Sequence, residues 1–353
     1  MADALSGVSE DAGLPSFPLV AMQFALRHLV RCTEFCLVCH NKVSTDFEAL
    51  KPYVCSSPLC LYQYMSLGFG PSIEYEIMSQ PTVVDLLVSF CYASAKMGKL
   101  EHFPDGMNLK IYTPASMTYS ADFHRMRNEF RFPERDSEHI RAVLKDGDWI
   151  VMNVSGIQSE EWHACITETC YWPIVKVASP ISVKLGLHDP LAGAQSTDTT
   201  SGAQIPGLKD VKEVQFKVYG DAFDAATDHD KRKAITDMLK TLPPIAEMKA
   251  WLQRNLNSGG EVTLRKFKNK LSPSALGLLR WIIASNRSCI VPLEDDDESV
   301  PSGFSPVQGM SPGWKQFRFA MGAPDKEQRF VNSVREAQTR LNSKCASIGS
   351  VRL

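Results

Sequence analysis

Between Ser79 and Lys96 the apolar residues Val83, Leu86, Leu87, Phe90 and Cys91 recur at spacings of 3, 1, 3 and 1. That period marks one face of an α-helix. Pro81 stands at its first turn, where a missing N–H costs little. Upstream, Leu19 to Phe35 is apolar with scattered polar positions, and fits a strand or a short helix. The pattern then changes. Asn108–Tyr112, Trp149–Val154, Ile174–Val177, Ile181–Leu185 and Val214–Tyr219 are rich in β-branched residues and are predicted strands. Gly156, Pro173, Pro180 and Gly186 punctuate them.

The helical period returns in the last third. Ala225–Leu242 and Pro244–Leu256 are predicted helices, the second ending before Gly259-Gly260. Ser272-Pro273 supplies an N-cap and a first-turn proline for a helix carrying Leu276, Leu279, Trp281, Ile282 and Ile283. Trp314, Phe317 and Phe319 predict an extended segment, and Phe330, Val334, Ala337 and Leu341, at spacings of 4, 3 and 4, a final helix.

The fold class expected is α+β: a cysteine-rich, zinc-ribbon-like N-terminal part, a β-rich middle and a helical C-terminal third. The division reads as a disordered start over 1–18, a cysteine-rich segment plus helix over 19–105, a β-rich domain over 106–190, a flexible linker over 191–206 and a mainly helical region over 207–353. The small, polar run from Ala192 to Ile205 defines the linker. Glu294 to Glu298 is a five-residue acidic run and reads as a solvated loop.

Composition narrows the class. The chain has 353 residues, 44% hydrophobic and 22% charged, with a net charge of -2. These values describe an ordinary globular protein with no general affinity for nucleic acid or anionic membrane. The start is acidic, and Gln23, Arg27 and His28 interrupt the apolar stretch from Phe17 to Val30. It is therefore read neither as a signal peptide nor as a membrane span. Ten cysteines without a secretion signal point to reduced thiols or metal ligands, and so to the cytoplasm or nucleus.

The strongest chemical signal is Cys36-x2-Cys39 followed, after 15 residues, by Cys55-x4-Cys60. Two turns offering two sulfurs each can supply the four soft donors of a tetrahedral Zn²⁺. The second pair departs from the commoner x2 spacing, and Cys32 and His40 are close enough in sequence to compete. The alternatives are buried free cysteines, or a redox Cys-x2-Cys, which belongs at a strand-to-helix junction of a βαβ unit.

Catalytic patterns are absent. There is no P-loop, no Gly-x-Gly-x2-Gly, no His-Glu-x2-His and no Gly-x-Ser-x-Gly. Gly68-Phe69-Gly70-Pro71 reads as a turn. Trp162-His163 beside Cys165 invites a Cys–His pair, but the more ordinary reading is a packed or surface histidine. Glu74/Glu76 and Glu160/Glu161 read as solvated side chains.

Three stretches carry a family resemblance. The first runs from Leu50 through Tyr53, Cys55 and Cys60, continuing with Tyr62, Tyr64 and Leu67 to Ser72. The second is Leu279-Arg280-Trp281-Ile282-Ile283-Ala284-Ser285-Asn286-Arg287-Ser288-Cys289-Ile290. The third runs from Gln316 to Phe330 and includes Phe317-Arg318-Phe319-Ala320-Met321-Gly322-Ala323-Pro324-Asp325. Together they resemble PARP-type ADP-ribosyltransferases, most closely the fungal proteins in which that domain is joined to a ubiquitin-conjugating domain.

In that family these stretches precede a glycosyltransferase-class domain that binds NAD through a His–Tyr–Glu set. Its histidine is typically followed by glycine. None of the eight histidines here is followed by glycine. The ubiquitin-conjugating His-Pro-Asn is also missing. The resemblance therefore implies no catalytic and no NAD-binding residue in this chain, with NAD belonging to the full-length family protein. It implies a non-catalytic, regulatory region upstream of a missing transferase domain, either as a fragment or as a product that has lost its catalytic half. Implied partners are the transferase domain in cis and the family's protein substrates, with no membrane or nucleic acid. Two alternatives remain: the ADP-ribosyltransferase activity itself, by family membership, and a zinc-stapled protein-interaction module.

Overall fold

The computed structural model describes residues 16–43, 47, 49–124, 127–132, 137–153, 161–171, 181–188, 211–267, 270–293, 307, 309, 311 and 313–348. Two compact units emerge, Pro71–Ile283 and a second formed by Met1–Gly70 with Ala284–Leu353. The fold is mixed α and β, with the cysteine cluster N-terminal, a curled sheet in the middle and helices toward the C-terminus.

The Pro71–Ile283 unit holds a closed antiparallel barrel. Its strands are β2 (Thr118–His124), β3 (Glu129–Phe132), β4 (Trp149–Asn153), β5 (Glu161–Tyr171), β6 (Ile181–His188) and β7 (Val211–Val218), in the order β2-β3-β6-β5-β4-β7 with β7 returning to β2. Alternate residues face inward: Ala121 and Phe123, Phe130 and Phe132, Ile150 and Met152, Trp162, Ala164 and Ile166, Val214 and Phe216. Phe130 lies 5.0 Å from Phe216 and 5.7 Å from Phe123 between ring centroids, so aromatic rings fill the centre. The short helix α5 (Ser137–Val143) contributes Ile140, which with Leu144 joins the same core. Closure leaves the ladder without an edge, which removes the template for pairing with another chain.

Two further cores surround helix α8 (Pro273–Ser285). Ala275, Leu279 and Ile283 pack with α3 (Ile73–Ser79), α4 (Pro81–Lys96) and α7 (Ile245–Asn257) through Ile77, Val84, Met248 and Leu252. Leu278 and Ile282 pack with Cys91 and Ala95 of α4, Ile235 and Met238 of α6 (Asp228–Lys240), and Leu109 and Ile111. Being apolar on nearly every side, α8 is embedded between the other helices. The predicted cap is realised, with the Ala275 N–H donating to Ser272 Oγ at 3.0 Å.

The second unit contains α1 (Phe17–Val30), α2 (Pro58–Ser66), the antiparallel pair β9 (Cys289–Leu293) and β10 (Gln316–Met321), and α9 (Pro324–Ile348). The stretch that fitted either strand or helix, Leu19 to Phe35, is thus helical over most of its length. The apolar stripe of α9 is uncovered where described: Phe330 is 66% and Val334 38% exposed.

Several sequence expectations changed in the structure. Asn108–Tyr112 contributes only the short β1 (Lys110–Ile111), which pairs with β8 (Asp221–Ala222) outside the barrel. Strands β2, β3 and β5 were not predicted at all. The strand expected at 174–177, the linker at 192–205, the acidic run at 294–298 and most of the disordered start lie outside the described residues.

Candidate metal centre

The first half of the cysteine site is a tight turn. Phe35 bridges Lys42, Cys36 N–H donates to the Asn41 carbonyl at 3.0 Å, and His40 N–H returns to the Cys36 carbonyl at 3.0 Å. To close this turn His40 takes φ 56°, the left-handed region that suits glycine. The second half is the start of a helix. Cys55 precedes Ser57 at the N-cap position and Pro58 at the first helical position, so Cys60 falls in the first turn of α2. This explains the x4 spacing: the chain turns from extended to helical between the two sulfurs. Leu37 N–H, donating to the Tyr53 carbonyl at 2.9 Å, ties the two halves together.

The four sulfurs of Cys36, Cys39, Cys55 and Cys60 all lie within 4.8 Å of one another, with Cys39 and Cys55 4.0 Å apart. Four sulfurs each about 2.3 Å from a zinc ion stand about 3.8 Å apart in a regular tetrahedron. The set therefore fits a metal ion after a contraction of less than about 1 Å. Among the described residues no other group of His, Cys, Asp and Glu converges in this way, and neither Cys32 nor His40 belongs to this one.

The electrostatics suit a cation. Burial pushes the Cys36 thiol up, but backbone N–H groups of Cys55, Cys39 and Val38 donate to its sulfur and bring it down to about 7. The Cys55 donor lies 3.4 Å from that sulfur. Burial raises Cys55. Cys60 is pushed up to about 12, by burial first and then by the neighbouring sulfurs of Cys55 and Cys39. Four thiolates in one place repel, and a divalent ion at their centre removes that obstacle. Cys36 and Cys60 are buried, Cys55 is half-buried and Cys39 is exposed. The surrounding core is small, with Val54 and Tyr64 the other buried members. A set of four protein sulfurs leaves no open position, which is the pattern of structural rather than catalytic metal sites.

The three stretches that carry the family resemblance meet close to this site. Tyr53 of the first sits between Arg287 of the second and Asp325 of the third. Burial raises the Tyr53 phenol, against the charge and hydrogen bond of Arg287. Arg287 is thus a bridge inside its own unit.

The other sequence candidates are structural. His163 and Cys165 lie on β5 with side chains turned away from the barrel interior, yet both are buried. His163 Nδ1 and Tyr219 Oη share a hydrogen bond of 2.9 Å. Burial pushes the Cys165 thiol up to about 11, the opposite of what a nucleophile needs. Glu74 is not simply solvated: it accepts from Leu264 N–H at 3.1 Å. One feature that sequence reasoning missed is a cleft of about 240 Å³ on the outer face of β4 and β7, lined in part by Tyr112, Thr113, Lys217, Asp230 and Lys233. Lys217 Nζ donates there to the carbonyls of Thr113 and Pro114. No helix among the described residues is long and apolar enough to cross a membrane.

Comparison with known proteins finds similarity over part of the chain. Over 76 residues, 21% of the chain, the sequence is 34% identical to the protein mono-ADP-ribosyltransferase PARP8 of mouse, and the same figures hold for the human protein. The match spans 9% of the length of those relatives. A PARP-related region is thus present in the chain. No protein-family model matches, and no solved structure matches significantly.

Proposed function

We propose that this chain is a zinc-stapled, non-catalytic regulatory region of a PARP-type protein concerned with NAD-dependent ADP-ribosylation of proteins. The observation that carries the reading is the convergence of Cys36, Cys39, Cys55 and Cys60 within 4.8 Å, in a unit that also holds Tyr53, Arg287 and Asp325, one from each of the three PARP-like stretches. Zinc would be held by these four sulfurs and would supply cross-linking rather than chemistry. Its binding free energy acts as folding free energy for a segment with little core of its own.

The regulatory part of the proposal concerns α9 and the strand before it. Phe330, Phe319 and Trp314 are exposed apolar residues on these two elements and the turn leading in. They offer a surface for a transferase domain in cis, in a protein of the branch fused to a ubiquitin-conjugating domain. A thiol-based zinc site further suits a reducing compartment, the cytoplasm or the nucleus.

Metal analysis and labelled-NAD incorporation test the two halves separately. One zinc per purified chain, lost in Cys55→Ser, is expected. Neither NAD hydrolysis nor self-modification above a heat-killed control is expected. A chain without metal refutes the zinc staple, and incorporated label refutes the non-catalytic role.

A further inference from the structure

We infer that the metal centre is also a site of oxidative modification, in which a hydroperoxide attacks Cys39, Cys55 resolves the product and the metal leaves. The inference rests on the zinc reading above and adds a reaction to it.

The asymmetry of the four sulfurs is the reason. Cys39 is exposed, Cys55 is half-buried, and Cys36 and Cys60 are buried. An oxidant arriving from solvent therefore meets Cys39 first. Metal-bound thiolates remain nucleophilic, and reactivity follows access and thiolate character. The product at Cys39 is a sulfenic acid, which needs a second thiolate nearby. All three other sulfurs lie within 4.8 Å, so distance alone does not choose. Mobility does. The Cys36 sulfur is fully buried and accepts backbone N–H groups from Cys55, Cys39 and Val38. Cys60 is locked in the first turn of α2. Cys55 lies ahead of that helix and outside regular secondary structure, and its sulfur, which accepts a single backbone N–H, from Ser57, is 4.0 Å from that of Cys39. A shift of about 2 Å brings the pair to bonding distance.

The balance closes with the peroxide as the only oxidant. Cys39 thiolate takes one oxygen from the hydroperoxide to become the sulfenic acid, and the other leaves as water or alcohol. Cys55 thiolate then attacks that sulfur, forming the disulfide and expelling hydroxide, which leaves as water on protonation. The metal has lost two of its four ligands and dissociates, and Cys36 and Cys60 take up protons.

The test uses the purified full chain. Zinc content is measured first, which tests the zinc reading on its own. Hydrogen peroxide is then added with a chromogenic chelator present, and disulfides are mapped by mass spectrometry without reduction. The expected result is release of one zinc together with a Cys39–Cys55 disulfide as the first cross-link, both reversed by dithiothreitol and fresh zinc. A Cys39→His variant keeps a fourth ligand but no thiol at that position. It should hold zinc and release it at least about tenfold more slowly. Zinc retained with Cys39 unmodified overturns the inference and leaves the metal site standing. A first disulfide between Cys36 and Cys39, or involving Cys60, overturns it as well. If the variant fails to fold, the wild-type disulfide map still decides.

Discussion

Removing the Asp237 carboxylate should destabilise the Pro71–Ile283 unit, and the structure allows the size of the effect to be worked out. Asp237 lies on α6 with its side chain 4% exposed. It accepts from Tyr112 Oη at 2.7 Å, Lys233 Nζ at 2.7 Å and Lys240 Nζ at 3.1 Å. The two lysine side chains are 43% and 40% exposed, so in Asp237→Ala their ammonium groups stay solvated, with Lys233 still donating to Tyr112 Oη at 2.9 Å. Each ion pair is therefore worth only about 0.5–1 kcal/mol. The Tyr112 hydroxyl is buried and loses the acceptor it donates to, at about 1–3 kcal/mol. The sum for Asp237→Ala is about 2–5 kcal/mol, or roughly 4–20 °C in Tm for a unit of this size. Asp237→Asn keeps an acceptor for Tyr112 and should lose about half as much.

Denaturant and thermal melts of the two variants, with Tyr112→Phe and the double variant Tyr112→Phe/Asp237→Ala, check the reasoning. The double variant should fall short of additivity by about 1 kcal/mol. Strict additivity, or a loss below about 0.5 kcal/mol in Asp237→Ala, would refute it. The pH dependence follows in sign. Burial raises the Asp237 carboxyl, but hydrogen bonds from Lys233 and Tyr112 and the lysine charges hold it below its ordinary value. Its stabilising effect is then fully present above the unfolded value of about 3.9 and is lost as pH falls through the folded one. The difference in Tm between wild type and Asp237→Ala should stay level from neutral pH down to about pH 5 and shrink below about pH 4.

Three further outcomes are expected. His40→Gly should keep its zinc and melt at the same temperature or higher, because φ 56° suits glycine, whereas His40→Val should lose about 1–2 kcal/mol. Zinc lost in His40→Gly would show that the imidazole is a ligand. Gly277→Ala should be neutral to destabilising by about 2 kcal/mol despite alanine's better helix propensity, since its Cβ would meet Leu109 Cδ2 at 2.8 Å; pairing it with Leu109→Val should recover part of the loss in a thermal melt. Phe330→Ser should leave the stability of the isolated chain within about 0.5 kcal/mol of wild type, as substitution of an exposed residue does, but should weaken co-purification with a transferase domain supplied in trans.

Local regularities in the sequence were enough for α4, α6, α7, α8 and α9 and for the first half of the metal site, but not for α2, α3 and α5. The 3,1,3,1 spacing after Ser79 became α4, and Ser272-Pro273 became a working cap. Cys36-x2-Cys39 forms its turn from hydrogen bonds that span six residues or fewer. The stretch before it had no period to read, since a helix apolar on every side looks like a buried strand. The barrel was legible only in part. Inward residues of β2 are Tyr119, Ala121 and Phe123, an alternation weakened by one small side chain. On β5 the outward-facing His163 and Cys165 are buried too, so hydrophobicity there does not alternate.

What tertiary structure alone decided is which surfaces meet. The Cys60 sulfur joins the others only because α2 begins at Pro58 and turns its first residues toward the Cys36 loop. Tyr53, Arg287 and Asp325 come together from stretches more than 200 residues apart at the extremes. Periodicity reports which face of an element is apolar. The partner of that face depends on chain closure and long-range packing, and these contacts leave no local pattern to read.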